Sequence, residues 1–194
     1  MTRLLVIGAG GFGRAVAEAA MAMGGHTVVG FVDDRWPALM PIWGLPVVGR
    51  LADLSGLRSM ADSVVPAIGN GQARRGACAA GLAAGFDLAS VIHPRAIVSP
   101  SAVLGLGVTV MAGAVIGTLA RIDDGAIVNA GAVVDHDGHV GAYAHLGVGA
   151  CMGGGSALAP CAYLRIGGSL APGLRLEVEP EGLAQSHCRT TGTS

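Results

Sequence analysis

From Val128 to Leu146 the chain reads Val128-Asn-Ala-Gly-Ala-Val-Val134-Asp-His-Asp-Gly-His-Val140-Gly-Ala-Tyr-Ala-His-Leu146, and an aliphatic side chain returns at every sixth position. Followed outward, the register holds at Val98, Leu104, Val110, Ile116 and Ile122 on one side and at Met152, Leu158, Leu164, Leu170 and Leu176 on the other. In a chain that is 52% hydrophobic, such a run arises by chance with odds on the order of one in ten thousand. Two residues before each aliphatic the side chain is nearly always small, as at Ala114, Ala120, Ala126, Ala132 and Ala144, and Gly recurs one place after it at Gly105, Gly117, Gly141 and Gly147. A period of six is neither the 3.6 of a helix nor the alternation of a sandwich strand. It predicts a parallel β-helix in which each hexad is a short strand plus a corner. The large aliphatic points inward, the small residue fits the corner, and Gly supplies turn conformations that a Cβ obstructs. Three hexads close one triangular coil, so residues 98–176 hold a little over four coils.

The composition agrees with this. Gly contributes 33 of 194 residues, charged residues 13% and aromatics 4%, against ordinary values of roughly 7% Gly and 25% charged. So many Gly residues, each weakening a helix interior by roughly 1 kcal/mol, argue against a helical bundle. The apolar fraction argues against disorder. A net charge of −1 excludes a polycationic nucleic-acid binder or a basic membrane-surface helix. Residues 96–120 and 138–164 contain no Asp, Glu, Lys or Arg and are long enough to span a bilayer. Their Gly density and fixed six-residue interval read instead as coil, and the chain is predicted to be soluble and cytoplasmic. Cys78, Cys151, Cys161 and Cys188 form no C-x-x-C pair and are read as reduced, buried thiols.

The first 92 residues follow another pattern. Arg3–Ile7 reads as a buried parallel strand, Gly8-Ala-Gly-Gly-Phe-Gly13 fits G-x-G-x-x-G, Arg14–Met23 reads as a helix stopped by Gly24-Gly25, and Thr27–Val32 reads as a second strand ending in Asp33-Asp34. Glycines of this spacing let backbone approach a phosphate at a helix N-terminus, and an acid about 20 residues on accepts ribose or base hydrogen bonds. Ser63–Ile68 then reads as a strand before Gly69-Asn-Gly71, Gln72–Ala84 as a helix and Leu88–Ile92 as a strand. The predicted organisation is a truncated Rossmann-like α/β domain over 1–92, a β-helix over 93–176 and an atypical tail over 177–194, where the sixfold register fails at Gly182.

This combination resembles the NeuD/PglD-type sugar acetyltransferases of the hexapeptide-repeat superfamily, enzymes of bacterial surface-polysaccharide biosynthesis. The matching blocks are Gly8–Gly13, Val32-Asp-Asp34, Ala67-Ile-Gly-Asn70, Ile92-His-Pro94, Ser99-Pro-Ser-Ala102 and Asn129–His145. The resemblance implies a left-handed β-helix, a homotrimer, and acetyl-CoA-dependent N-acetylation of a nucleotide-linked amino sugar. It assigns His136 as general base, Asp137 as the acid that orients it, and His145 and Ile166 as contacts to acetyl-CoA. The nucleotide sugar is placed against Gly10, Gly11, Phe12, Asp33, Asp34 and Gly69, with Phe12 standing where a close relative carries His.

The residue types suit that chemistry on their own terms. Acyl transfer from a thioester to an amine needs a base near neutral pH, and a neighbouring carboxylate stabilises the imidazolium as it forms. No Ser or Cys near His136 is placed as a nucleophile, which favours direct transfer. His136 and His145 are nine residues apart, half of one coil, and so lie on opposite sides of the triangle; they converge only between subunits, which predicts an active site at a trimer interface. Zinc catalysis is disfavoured, because the three histidines nearest to His136 in the sequence stand at +3, +9 and −43 from it rather than at a metal-ligand spacing. His26, His139 and His187 read as surface residues, His93 as structural and Asp135 as a polar corner residue. Alternative readings are a sialic acid-type sugar O-acetyltransferase, a non-catalytic trimeric sugar-nucleotide binder, and an NAD-dependent dehydrogenase, for which the α/β domain is too short.

Overall fold

A computed structural model describes residues 1–178 of the chain; the rest of the predicted tail, with Gly182, His187 and Cys188, lies outside the described residues. The N-terminal part is a five-stranded parallel sheet of β1 (Thr2–Ile7), β2 (His26–Val32), β3 (Val47–Gly49), β4 (Ser63–Pro66) and β5 (Asp87–Leu88), in the order β3-β2-β1-β4-β5. Side chains alternate across a strand, so β1 feeds two cores. Leu4 and Val6 pack with Val16, Ala17 and Ala20 of α1 (Gly11–Met23), while Leu5 and Ile7 pack with Ala77 of α2 (Gly71–Ala83) and with Phe86. Helix α1 begins three residues earlier than predicted, inside the glycine loop, with Gly10 as its cap.

The predicted strand Leu88–Ile92 is two strands. Asp87–Leu88 closes the α/β sheet, whereas Val91–Ile92 pairs with Thr109–Val110 and opens the coil. The six-residue register runs through Ile92, one hexad before Val98. Among the described residues the coil therefore has fifteen two-residue strands in three stacks of five, one hexad more than the register counted from Val98.

The three stacks differ in what they face. Val91, Thr109 and Ile127, with His145 and Tyr163, point outward from the first stack, and the first three are buried beneath the α/β domain. This is the domain face. The second stack presents Ile97, Val115, Val133, Cys151 and Ser169, an apolar face without cover in the single chain. The third presents Val103, Arg121, His139, Ala157 and Arg175, a charged face on which Asp123 links the Arg121 guanidinium, at 2.8 Å, to His139 Nε2, at 2.7 Å. His139 is thus a half-exposed residue hydrogen-bonded to a carboxylate. Inside, Val110, Ile116, Ile122, Val128, Val134, Val140 and Leu146 form one continuous apolar column with the corner alanines. Each such side chain contributes on the order of 1.5–3 kcal/mol by leaving water.

Glycine does two different jobs in the coil. The left-handed corner lies three places after the aliphatic, at Gly107, Gly113, Gly125, Gly131, Gly149, Gly155, Gly167 and Gly173, and it is there that φ is positive. The glycines one place after the aliphatic are needed for close approach instead: a Cβ on Gly141 would lie 2.7 Å from Leu158 O and from Pro160 N of the next coil. Four left-handed corners are not Gly, namely Leu119, Asp137, Tyr143 and Cys161.

Among the described residues the cysteines are free, but only Cys78 is buried; Cys151 is exposed and Cys161 half-buried, because outward strand and corner positions leave a side chain in solvent. No helix of the described residues is long and apolar enough to cross a membrane; the two uncharged stretches form coils of two-residue strands.

The two kinds of glycine should respond differently to substitution. Gly149→Asn, at an open corner, should cost under about 1 kcal/mol because Asn tolerates the left-handed region. Gly141→Asn, against backbone that cannot yield, should cost roughly 1–3 kcal/mol. Urea denaturation of the two variants measures the difference.

Candidate active site

His136 sits on the corner between the apolar and charged faces, the edge of the prism opposite the domain face. The Asp135–Gly138 turn presents it. The Asp135 carboxylate accepts the His136 backbone N–H at 2.7 Å, and the His136 imidazole lies over Gly154 of the next coil, where a Cβ would come within 2.5 Å of Nε2. Asp137 follows in the left-handed region (φ 56°), a conformation that costs a non-glycine residue of order 1 kcal/mol or more. In that conformation its Oδ2 accepts His136 Nδ1–H at 2.8 Å. The hydrogen bond to Asp137, with the charge of Asp135 behind it, raises the imidazole above its ordinary value. With Nδ1 occupied, the lone pair of neutral His136 is on Nε2, on a ring open to solvent. Geometry and polarity are those of an oriented general base.

His145 lies on the domain face in a quite different setting. Its Nδ1 is 3.2 Å from the Gly69 carbonyl and its Nε2 is 3.3 Å from Asn129 Nδ2. Tyr163 and Phe12 flank the ring with centroids 5.0 and 6.1 Å away. Burial pushes the imidazole down to about 4, and the positive charge of Arg74 acts in the same sense. A cavity of about 370 Å³ opens here between Gly69, Asn70, Gly71, His145, Cys161 and Tyr163. It joins the end of β4 to the coil, so the loop predicted to hold a nucleotide sugar meets the residue predicted to reach acetyl-CoA.

The glycine loop is shaped by contact at two of its glycines and left open at the others. Gly8 has φ 109°, and a Cβ on Gly13 would fall 1.8 Å from Gly8 O, so neither admits a side chain. Beyond Gly10, Gly11 and Gly69, in contrast, nothing stands within 4 Å of a Cβ position. Helix α1 has no side-chain cap, which leaves its first N–H groups and its positive dipole end available to an anion. Asp33 and Asp34 line a second cavity of about 180 Å³ with Gly8, Leu51 and Ile68. Asp33 spends both oxygens on the protein: Ala9 N–H donates to Oδ2 at 2.8 Å and Arg35 engages both oxygens at 2.8 Å. Arg35 holds this carboxyl well below the usual carboxylate range, so a ligand reaching it must compete with a bidentate guanidinium. Asp34 spends Oδ1 on Leu51 N–H at 2.9 Å.

Within the chain the predicted residues thus form two groups. Gly10, Gly11, Phe12, Asp33, Asp34 and Gly69 lie on the loops at the carboxyl end of the α/β sheet, where Gly69 and Phe12 meet His145 of the coil, and His136 with Asp137 stands on the far edge. Ile166 is an exposed residue at the corner between the domain and apolar faces. His93 Nδ1 accepts Arg95 N–H at 3.0 Å, within a turn. Among the described residues no three His, Cys, Asp or Glu side chains gather to hold a metal ion.

Two residues at this junction escape the sequence reading. Arg74 of α2 is fully buried. It donates through Nε to Gly125 O (2.6 Å), through Nη1 to Ile68 O (2.5 Å) and Gly69 O (2.9 Å), and through Nη2 to Tyr143 O (2.5 Å) and Ala144 O (3.2 Å). Asn129 is the second, through its bond to His145. A signal for Arg74 exists in the sequence: two arginines close behind Asn70-Gly71 put positive charge near a helix N-terminus, against the dipole.

The comparisons with known proteins fit this geometry. Residues 3–79 match the PglD N-terminal domain family. Perosamine N-acetyltransferase PerB from Caulobacter crescentus, solved with CoA and GDP-perosamine, is 39% identical over 92% of this chain and 84% of its own, with a TM-score of 0.85. A histidine-to-alanine variant of GDP-perosamine N-acetyltransferase from the same organism, with the same two ligands, gives 37%, the same coverage and 0.86. The acetyltransferase domain of PglB from Neisseria gonorrhoeae, in complex with acetyl coenzyme A, is 35% identical over 91% of this chain and 96% of that one, with a TM-score of 0.72. None of the curated proteins matches the chain. The fold and these relatives define a hexapeptide-repeat acetyltransferase. Within that class, the chain belongs to the PglD-type sugar N-acetyltransferases.

A base raised by Asp137 works only once deprotonated, so kcat/KM for acetyl transfer should rise with pH through a midpoint above 6.5, the ordinary histidine value. Asp137→Asn should move that midpoint to lower pH while lowering the plateau. A pH–rate profile of the two proteins checks both.

Proposed function

We propose that this acetyltransferase moves the acetyl group of acetyl-CoA onto the amine of a nucleotide-linked amino sugar, GDP-perosamine or a close analogue, with His136 as general base. The observation that carries the reading is the His136–Asp137 pair: an oriented imidazole with an open Nε2, on an exposed edge, in a chain whose other domain offers an uncapped helix N-terminus. The nucleotide lies along Gly10, Gly11, Asp33, Asp34 and Gly69, its diphosphate toward the N-terminus of α1. As the amine attacks the thioester carbonyl, the C–N bond forms and His136 Nε2 takes the amine proton. The C–S bond then breaks, and the proton passes to the departing thiolate. Asp137 holds Nδ1–H throughout and stabilises the imidazolium. Cys161 and the other thiols take no part, because direct transfer needs no acyl-enzyme.

The working unit is a trimer. The apolar face, with Ile97 two-thirds exposed, is the surface to turn toward a threefold axis. Each copy then sets its His136 edge beside the next copy's edge bearing Val148 and Ile166, next to that copy's His145 and glycine loop. Such a head-to-tail contact closes as a ring of three and unites the two groups of residues that one chain keeps apart. Ile166 and His145 line the acetyl-CoA side of this cleft.

His136→Ala should lower turnover by roughly 10²–10⁴-fold with little change in the thermal melt. Coexpressed His136→Ala and His145→Ala chains should regain activity above either parent, because a mixed trimer contains a cleft with both histidines. Steady-state kinetics with GDP-, UDP- and CMP-linked amino sugars identifies the nucleotide. Unchanged turnover in His136→Ala excludes the base assignment, and the absence of recovery in the mixture excludes the shared site.

A further inference from the structure

A continuous hydrogen-bond chain passes through His145, and every direction in it can be assigned. Ala130 N–H donates to Asn129 Oδ1 at 2.8 Å, which fixes the amide so that Nδ2–H faces His145 Nε2 at 3.3 Å. A nitrogen approached by an amide N–H must carry the lone pair. His145 Nδ1, 3.2 Å from the Gly69 carbonyl, must therefore carry the proton. The same carbonyl accepts Arg74 Nη1 at 2.9 Å, so its position is set from the other side by a guanidinium anchored on Gly125, Tyr143 and Ala144 of the coil. The groups around the ring from every element are Arg74 of α2, Phe12 of α1, Asn129, Cys161 and Tyr163. None of them is a carboxylate.

We infer that Arg74 and Asn129 are positioning residues that lock His145 as the neutral Nδ1–H tautomer, with the Nε2 lone pair held by the Asn129 amide, so that neither ring nitrogen offers an N–H to the substrates. Protonating the ring would set an N–H against the Asn129 N–H, and would add a second cation beside a buried guanidinium that has carbonyls alone for partners. Arg74 acts at a distance by holding the Gly69 carbonyl where Nδ1–H can reach it. The role in turnover rests on the reading of His145 as a site residue; the tautomer itself does not. It also sorts ligands: in this state Nε2 has no proton to donate and repels a bare carbonyl oxygen.

Nitrogen NMR of the full chain labelled with ¹⁵N-histidine tests this, the His145 signals being assigned by their loss in His145→Gln. The wild type should show a pyrrole-type Nδ1 and a pyridine-type Nε2 that persist from pH 8 to below 6. In Asn129→Asp a carboxylate faces Nε2, and the titration of His145 should move up by roughly one to three pH units. The KM for the amino sugar should change more than tenfold in the same variant. Arg74→Lys, with one compact ammonium in place of the fork, should admit the Nε2–H tautomer; if it fails to fold, Asn129→Asp still decides. An Nε2–H tautomer in the wild type, or an unmoved titration in Asn129→Asp, overturns the inference. A moved titration with unchanged kinetics overturns the positioning role while leaving the acetyltransferase reading, tested on His136, intact.

Discussion

A guanidinium buried in protein, with only carbonyl oxygens for company, is the constraint around which the two halves of this chain are organised. Arg74 satisfies its donors with five carbonyls, two from the loop after β4 and three from corners of the coil. Burial lowers it to about 10, still protonated at neutral pH. Hydrogen bonds to a charged group contribute roughly 1.5–3 kcal/mol each, and a buried charge deprived of them is strongly destabilising. The α/β domain is therefore docked in one orientation on the coil rather than tethered to it. Gly71 permits the same approach from the backbone side, since a Cβ there would lie 2.7 Å from Tyr143 O.

That docking determines what each histidine can be. Both belong to one motif, yet their surroundings push them apart: His136, exposed and flanked by two aspartates, is raised, and His145, enclosed and beside Arg74, is lowered. Opposed surroundings of this kind let one chain carry a more basic and a less basic imidazole. The coil supplies the separation, because half a turn of a triangular prism leads from a face to the opposite edge.

The coil was legible from side-chain identity alone. One apolar column needs one aliphatic per hexad, and nothing else in the chain competes with that demand. The strand–loop–helix unit was legible for a similar reason, since Gly13 is imposed by its contact with Gly8 O and Gly8 by its own positive φ. What escaped was set by contacts distant in sequence. Arg74 meets the coil 51 to 70 residues away and His145 meets Gly69 across 76. The strand at Leu88–Ile92 divides in two because Val91 finds its partner at Val108, while Leu88 pairs with Val64. The glycines one place after the aliphatic were recognised, but their reason was misread. They make room for the neighbouring coil, and the turn itself falls two residues later.

The corner at Asp137 shows what a ruler the coil provides. Adding one hexad anywhere before it would carry the motif a third of the way round the prism, from one edge to the next. Adding three would return it to the same edge, displaced along the axis by one strand spacing, about 4.8 Å. The position of His136 along its edge can thus be changed only in steps of that size. Adjustment finer than a strand spacing falls to the side chains, and coarser adjustment to the number of coils.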